Sequence, residues 1–252
     1  MQMKPFGKSG VFSACAILLL GMLVQPAFAQ NESLRERLHD SIVAASSNQL
    51  EIVNIKPTPL DTIYEVELNT GELLYSDASG QYLFAGDLYR TTPDGLLNLS
   101  IATRQEANLR KISAIPDEEA IIYEPEGEAK ATLTIFTDVD CTYCRQLHGE
   151  REQLLDFGIR LRYLAYPRGG ENATSYDKMI SVWCSEDRHR SLTQAKNGQN
   201  LPIRDCESPV MAHYDLGNQL GIQGTPALVF PDGRLIPGYM DAPSLAAMLG
   251  IE

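Results

Sequence analysis

The chain has 252 residues, 44% hydrophobic and 21% charged, a composition that can bury a substantial core and excludes wholesale disorder. Its 33 acidic side chains outnumber 21 basic ones, for a net charge of −12. Such a surface repels phosphate backbones and anionic lipids, which speaks against nucleic-acid and peripheral membrane partners.

Residues 1–29 read as an export signal rather than as part of the fold. Lys4 and Lys8 form a positive start, Val11 to Val24 is an apolar run, and Pro26 precedes the small-x-small site Ala27-Phe28-Ala29. The alternative, a retained anchor, needs about 20 apolar residues, more than this run supplies. Cleavage after Ala29 makes the mature chain soluble and exported, and takes its net charge to −14. It also removes Cys15, which leaves Cys141, Cys144, Cys184 and Cys206. Four cysteines in an exported protein read as two disulfides.

Leu34, Leu38, Ile42 and Val43 then recur at helical spacing and predict a short amphipathic helix. The period changes over Gln49–Ile55, Thr62–Leu68, Glu72–Tyr75 and Gln81–Phe84, which are short β-rich runs. Pro57-Thr58-Pro59, Asn69-Thr70-Gly71 and Asp77-Ala78-Ser79-Gly80 separate them as turns. Residues 30–92 thus predict a helix plus an antiparallel meander, whose thin core would gain by pairing with a second copy. From Pro93 the pattern turns helical, with Leu96, Leu97, Ile101, Leu109 and Ile112 among charged residues. Residues 93–114 therefore predict a linker helix that ends before Pro116.

Residues 115–252 form the second domain. Ala131–Phe136 has a buried-strand pattern and runs into Cys141-Thr142-Tyr143-Cys144. Leu147, Leu154 and Leu155 continue as one helix that stops at Gly158, and Ile159–Tyr163 alternates as a strand. The three elements make a βαβ unit. Residues 171–220 are mostly helical and carry Cys184 and Cys206. Ala227–Phe230, the turn Pro231-Asp232-Gly233 and Arg234–Ile236 predict a hairpin, followed by a last helix from about Pro243. The fold class is α+β.

A C-x-x-C where a strand enters a helix is a specific arrangement. Cys141 would sit at the helix start, where unpaired N–H groups and the helix dipole favour the thiolate, the nucleophilic form. Cys144, one turn further in, becomes the resolving thiol that releases a mixed disulfide. Two blander readings are a zinc site with His148 and a later cysteine, and an inert disulfide. The first lacks metal-ligand spacing, and the second makes the strand-to-helix placement a coincidence. Cys184 and Cys206 enclose a loop of about 20 residues and read as a structural bridge, with a second redox pair as the alternative. His148, one turn after Cys144 on the same helix face, reads as a solvated histidine, with tuning of that thiol as the alternative, and Pro226 alone reads as a strand-start residue.

The order of strand, C-x-x-C helix, second strand, Thr225-Pro226, hairpin and final helix resembles the thioredoxin fold. Phe136–Cys144, Leu147-His148, Tyr166-Pro167-Arg168, Cys184, Cys206 and Gly224-Thr225-Pro226 carry the resemblance further. With the helix-plus-meander domain and the linker helix, the whole mature chain resembles the DsbC/DsbG family of periplasmic disulfide isomerases.

That resemblance implies a cystatin-like N-terminal dimerisation domain and a thioredoxin-fold catalytic domain with a helical insertion. It also implies a cis Pro226 packed against the active-site cysteines, with Thr225 and Pro226 pairing with the substrate chain. The implied function is isomerisation or reduction of incorrect disulfides in exported proteins through Cys141 and Cys144. Chaperone activity accompanies it, without a cofactor or metal. The implied partners are misoxidised or unfolded exported proteins, a second copy of the chain, and a membrane thiol reductase of the DsbD kind.

The dipeptide Thr142-Tyr143 departs from the Gly-Tyr common in the isomerases and the Pro-Tyr of the chaperone-like group. A redox-linked chaperone or sulfenic-acid reductase of the DsbG kind therefore stands as the second reading, and a DsbA-like oxidase as the third. Ile135 stands where thioredoxins proper carry a buried aspartate as proton acceptor. Asp138 with Arg168 either assists in its place or forms an ordinary ion pair.

Overall fold

The computed structural model describes residues 27–47 and 49–251. The segment read as an export signal lies outside the described residues, except that residues 27–29 open the first helix, α1 (Ala27–Leu38). A π-helical stretch, His39–Val43, continues it. Leu34, Leu38, Ile42 and Val43 are all buried, so the helical spacing in the sequence marks the inward face.

That face lies on an antiparallel sheet of four strands, in the order β1 (Ile52–Pro57), β2 (Ile63–Leu68), β3 (Leu73–Asp77) and β4 (Leu83–Ala85). Along β2 the side chains alternate: Val66 and Leu68 join the α1 core, whereas Glu65 and Glu67 are buried on the opposite face. The linker helix α2 (Ser100–Ser113) covers those carboxylates. Thr103 Oγ1 donates to Glu65 Oε1 at 2.5 Å, and Arg110 Nη2 donates to both oxygens of Glu67 at 2.6 Å.

The linker helix starts later than the sequence predicts. Residues 89–98 form a hairpin of β5 (Tyr89–Thr92) and β6 (Gly95–Asn98). Gly95 has a φ of +126°, open to glycine alone at the end of a Pro93-Asp94 turn, and Thr91-Thr92 favours strand. Leu96 and Leu97 mimic a helical repeat but lie on this exposed ribbon. The helix begins where Asn98 Oδ1 accepts from Ser100 N at 2.9 Å.

The second unit is a five-stranded sheet ordered β11-β10-β8-β9-β7. Its strands are β7 (Ile121–Tyr123), β8 (Ala131–Thr137), β9 (Ile159–Ala165), β10 (Ala227–Val229) and β11 (Leu235–Pro237). Central β8 runs parallel to β9 and antiparallel to β10. Leu133, Ile135 and Phe136 are fully buried, and Thr134 and Thr137 are buried with them, so the strand is covered on both faces. Burial of each such apolar side chain contributes about 1.5–3 kcal/mol.

Between β8 and β9 the chain makes two helices, α3 (Thr142–Gly149) and α4 (Arg151–Asp156), rather than the single one expected. The break falls at Glu150, whose carboxylate is drawn to Tyr239 Oη and to the backbone N of Ala242. The insert holds α5 (Tyr176–Trp183), α6 (Arg188–Lys196) and α7 (Val210–Gln219), and α8 (Ala242–Met248) closes the chain. On α7, a Cβ at Gly217 would meet the Tyr166 ring at 2.5 Å, so only glycine lets this helix approach the sheet.

Candidate active site

Cys141 caps α3. Its backbone is extended (φ −79°, ψ 123°) and the helix starts at the next residue, which aims the unpaired N–H groups of the first turn at its side chain. Both cysteines of the motif are buried free thiols. Thr225-Pro226 faces them, with a cis peptide bond and with the Thr225 carbonyl accepting from Cys141 Sγ at 3.2 Å. Among the described residues the buried Thr225 hydroxyl has no other hydrogen-bond partner, and it is placed to donate to the Cys141 thiolate.

The two thiols are driven apart. The hydrogen bond from Cys144 is the largest influence lowering Cys141, and burial opposes it. Thr225, the backbone N–H of Cys144 and the Arg168 charge also favour the thiolate, and the pKa lies at about 5. Cys144 moves the other way, because burial and its hydrogen bond to Cys141 both disfavour its thiolate. At neutral pH this is one thiolate beside one thiol, the asymmetry that thiol–disulfide exchange needs.

Asp138 and Arg168 are brought together beside the motif. Asp138 is buried; its Oδ2 accepts from Arg168 N at 3.0 Å and from Arg168 Nε at 3.4 Å, and its Oδ1 accepts from Asp140 N at 2.8 Å. The carboxylate is thus fastened between two loops, and its backbone carbonyl accepts from Cys141 N at 3.2 Å. Cys184 and Cys206 are joined in a disulfide with a Cα–Cα distance of 5.8 Å.

His148 is not solvated. It is 3% exposed, with Nδ1 3.2 Å from Tyr163 Oη and Nε2 3.0 Å from Thr193 Oγ1. Burial, with help from Lys196 and Arg151, lowers its pKa to about 3. Both ring nitrogens are occupied, and the two later cysteines are bonded to each other, so the zinc set considered from sequence does not assemble. Among the described residues no group of three or more His, Cys, Asp or Glu is placed to hold a metal.

Two further features were not read from the sequence. Tyr143, exposed inside the motif, stacks on Tyr239 with ring centroids 6.4 Å apart. Lys196 lies buried behind the motif, with Nζ 2.7 Å from Thr137 Oγ1. An aromatic inside a C-x-x-C could have suggested the first; for the second the one signal is Leu192, four residues earlier on the same helix face.

A thioredoxin fold that presents a low-pKa cysteine at a helix start, opposite a cis Thr–Pro turn, defines a thiol–disulfide oxidoreductase. The comparisons with known proteins narrow this. Residues 117–250 match the thioredoxin-like domain family, and residues 25–100 match the disulfide bond isomerase protein N-terminal domain. The thiol:disulfide interchange protein DsbC of Dickeya dadantii is 34% identical over 84% of this chain and 87% of its own. That of Haemophilus influenzae is 34% identical over 92% of this chain and 95% of its own. A solved disulfide interchange protein from Neisseria gonorrhoeae is 31% identical over 54% of this chain and 96% of its own, with a TM-score of 0.48. The chain belongs to the DsbC family of thiol:disulfide interchange proteins, which are disulfide isomerases and oxidoreductases.

Proposed function

We propose that Cys141 attacks wrong disulfides in exported proteins, that Cys144 resolves the resulting mixed disulfide, and that isomerisation is the main outcome. The observation carrying this reading is the opposite displacement of two thiols on one helical turn, Cys141 down to about 5 and Cys144 upward. An attacking thiolate must persist at working pH, and a resolving thiol must stay protonated until needed. Thr225 and Pro226 bind the substrate chain beside Cys141, and Asp138 with Arg168 fixes the loop that carries it. The Cys184–Cys206 bridge is structural. The protein works in the periplasm as a homodimer and is kept reduced by a membrane thiol reductase of the DsbD kind. Among the described residues no helix is long and apolar enough to cross a membrane.

Refolding of a scrambled multi-disulfide substrate tests the roles. Cys141→Ser abolishes refolding, whereas Cys144→Ser still forms mixed disulfides and releases them slowly. Retention of activity in Cys141→Ser would refute the assignment.

Homodimerisation rests on an apolar surface of the first unit. Tyr82, Leu83 and Phe84 on and beside edge strand β4, with Tyr89, Leu96 and Leu97 on the β5–β6 ribbon, are all exposed. An apolar edge strand demands a partner.

A further inference from the structure

Cys144 faces a charge-bearing group that the exchange chemistry above leaves unused. Lys196, the last residue of α6, is 2% exposed. Its Nζ reaches one hydrogen-bond partner among the described residues, Thr137 Oγ1 at 2.7 Å, and stands 5.9 Å from the centroid of the Tyr163 ring. The fully buried Thr137 lies at the end of β8, with its hydroxyl within hydrogen-bonding reach of Cys144. Amine, hydroxyl and resolving thiol therefore form a continuous line.

An ammonium has three donors to satisfy, and this site meets one of them. Burial favours the neutral amine and lowers the pKa to about 8, against the pull of Cys144, Asp138 and Cys141 and with the push of Arg145. Those groups, with His148 on α3 and Tyr163 on β9, are the titratable neighbours of the amine. With a pKa of about 8, about one amine in ten is neutral and able to take a proton at pH 7, and that share grows as pH rises through 8.

The resolving step needs such a group. Once Cys141 is joined to substrate, Cys144 must lose a proton that burial holds on it. The other candidates are engaged. Asp138 is bound to Arg168 and to the Asp140 N–H. The His148 ring is bound at both nitrogens and has too low a pKa to act as a base. Position 135 on the strand is a buried isoleucine.

We propose that Lys196 is a positioning residue for the resolving step, drawing the proton of Cys144 through the Thr137 hydroxyl and holding the thiolate that results. The proposal rests on the assignment of Cys141 as nucleophile and Cys144 as resolving thiol. The Cys144 proton passes to Thr137 Oγ1 as the hydroxyl proton passes to the neutral amine, which becomes an ammonium. Cys144 Sγ bonds to Cys141 Sγ, and the bond from Cys141 Sγ to the substrate sulfur breaks. The substrate leaves as a thiolate and takes a proton from water. The two cysteines are oxidised to a disulfide and the substrate is reduced, two electrons in all. In the reverse direction the ammonium returns its proton to Cys144.

Quenched-flow mass spectrometry of the reduced mature protein reacting with oxidised glutathione tests this. In the parent, the glutathione adduct on Cys141 decays with a rate that rises through a midpoint near pH 8. In Lys196→Met, which keeps an unbranched side chain without the amine, and in Thr137→Val, adduct formation is unchanged. Its decay at neutral pH slows on the order of tenfold or more, and the midpoint near pH 8 disappears. Decay within about twofold of the parent in folded variants, or slowing by an equal factor at every pH, would overturn the proposal. If Lys196→Met fails to fold, Thr137→Val decides by the same criteria. A parent that forms no adduct on Cys141 would instead overturn the nucleophile assignment, and this proposal with it.

Discussion

The sulfur of Cys141 lies 3.2 Å from the backbone carbonyl of Thr225, a residue 84 positions further along the chain. That contact closes the active site, because it sets the nucleophile against the backbone just before the cis Pro226. In the reading proposed above, a substrate segment lying along Thr225 would bring its own disulfide up to Cys141.

The thiolate of Cys141 is the first expectation to check. A pKa of about 5 leaves it mostly ionised at pH 6, where an unperturbed thiol of pKa ~8.5 is only about 0.3% thiolate. Iodoacetamide labelling of Cys144→Ala measures the midpoint, which will lie higher than in the parent because alanine cannot make the hydrogen bond that is the largest cause of the shift. Arg168→Met raises it further. Labelling of Cys144 ahead of Cys141 in the parent at mildly acidic pH would reverse the roles.

The Cys184–Cys206 disulfide ties α5 to the chain leading into α7. Its double replacement by alanine is expected to cost about 3 kcal/mol of stability on the chain-entropy estimate. Chemical denaturation reads that loss, and the labelling rate of Cys141 should not change. Loss of exchange activity while the variant is still folded would make the bridge part of the redox chemistry.

Acid should weaken the fold through two buried histidines. His148, at about 3, and His213, at about 4, are held neutral, chiefly by burial. His213 Nδ1 accepts from Ala165 N at 3.2 Å, and its buried Nε2, 3.9 Å from Glu119 Oε2, has no hydrogen-bond partner among the described residues. The unfolded chain takes up these protons near pH 6.5 and the native one does not. Stability is therefore complete above that pH and is lost as pH falls from about 6.5 towards 4, by up to ~1.4 kcal/mol per unit for each histidine. Urea midpoints at neutral pH and near pH 5 measure the slope, and His148→Phe removes one histidine's share of it. A slope unchanged in that variant would show that His148 does not set it.

Pairing of the first unit is tested at its exposed apolar side chains. Phe84→Asp with Leu96→Asp should convert a sedimenting dimer to a monomer without unfolding it, since both residues are exposed. Refolding of scrambled substrate should fall sharply, whereas reduction of a small disulfide should persist. A full-length parent that sediments as a monomer would remove the basis for the idea.

Much of the site was legible because its signals are local. A strand entering a helix at Cys141 and two spare cysteines are short-range signals, whereas the place of Thr225-Pro226 beside them follows from the resemblance to the thioredoxin fold. What escaped depends on side-chain direction. His148 lies one turn from Cys144, and only the approach of Tyr163 and Thr193 makes it a buried ring. Lys196 lies four residues after buried Leu192 on the inward face of its helix, but a lysine in a mostly polar segment gives no sign of turning inward towards Thr137. Leu96 and Leu97 misled because two adjacent leucines suit a helix as well as an apolar ribbon, and Gly95 decided between them.

Helix α2 is fastened on both sides. Lys56 and Glu67 hold Glu106 and Arg110 from the first unit. Asn108 Nδ2 donates to Gly233 O at 2.9 Å, and Gly233 lies too close to the Gln105 carbonyl for any side chain. Arg162 donates to the carbonyl of Ile115 just past the helix end. A helix clamped in this way is a strut, about 21 Å long for its 14 residues. One added residue would move the catalytic unit by about 1.5 Å but swing it by about 100°, turning Cys141 away from any space shared with a second copy. In the homodimer proposed above, the spacing between two catalytic units would therefore change in steps of whole helical turns, with the residue count of α2 as its ruler.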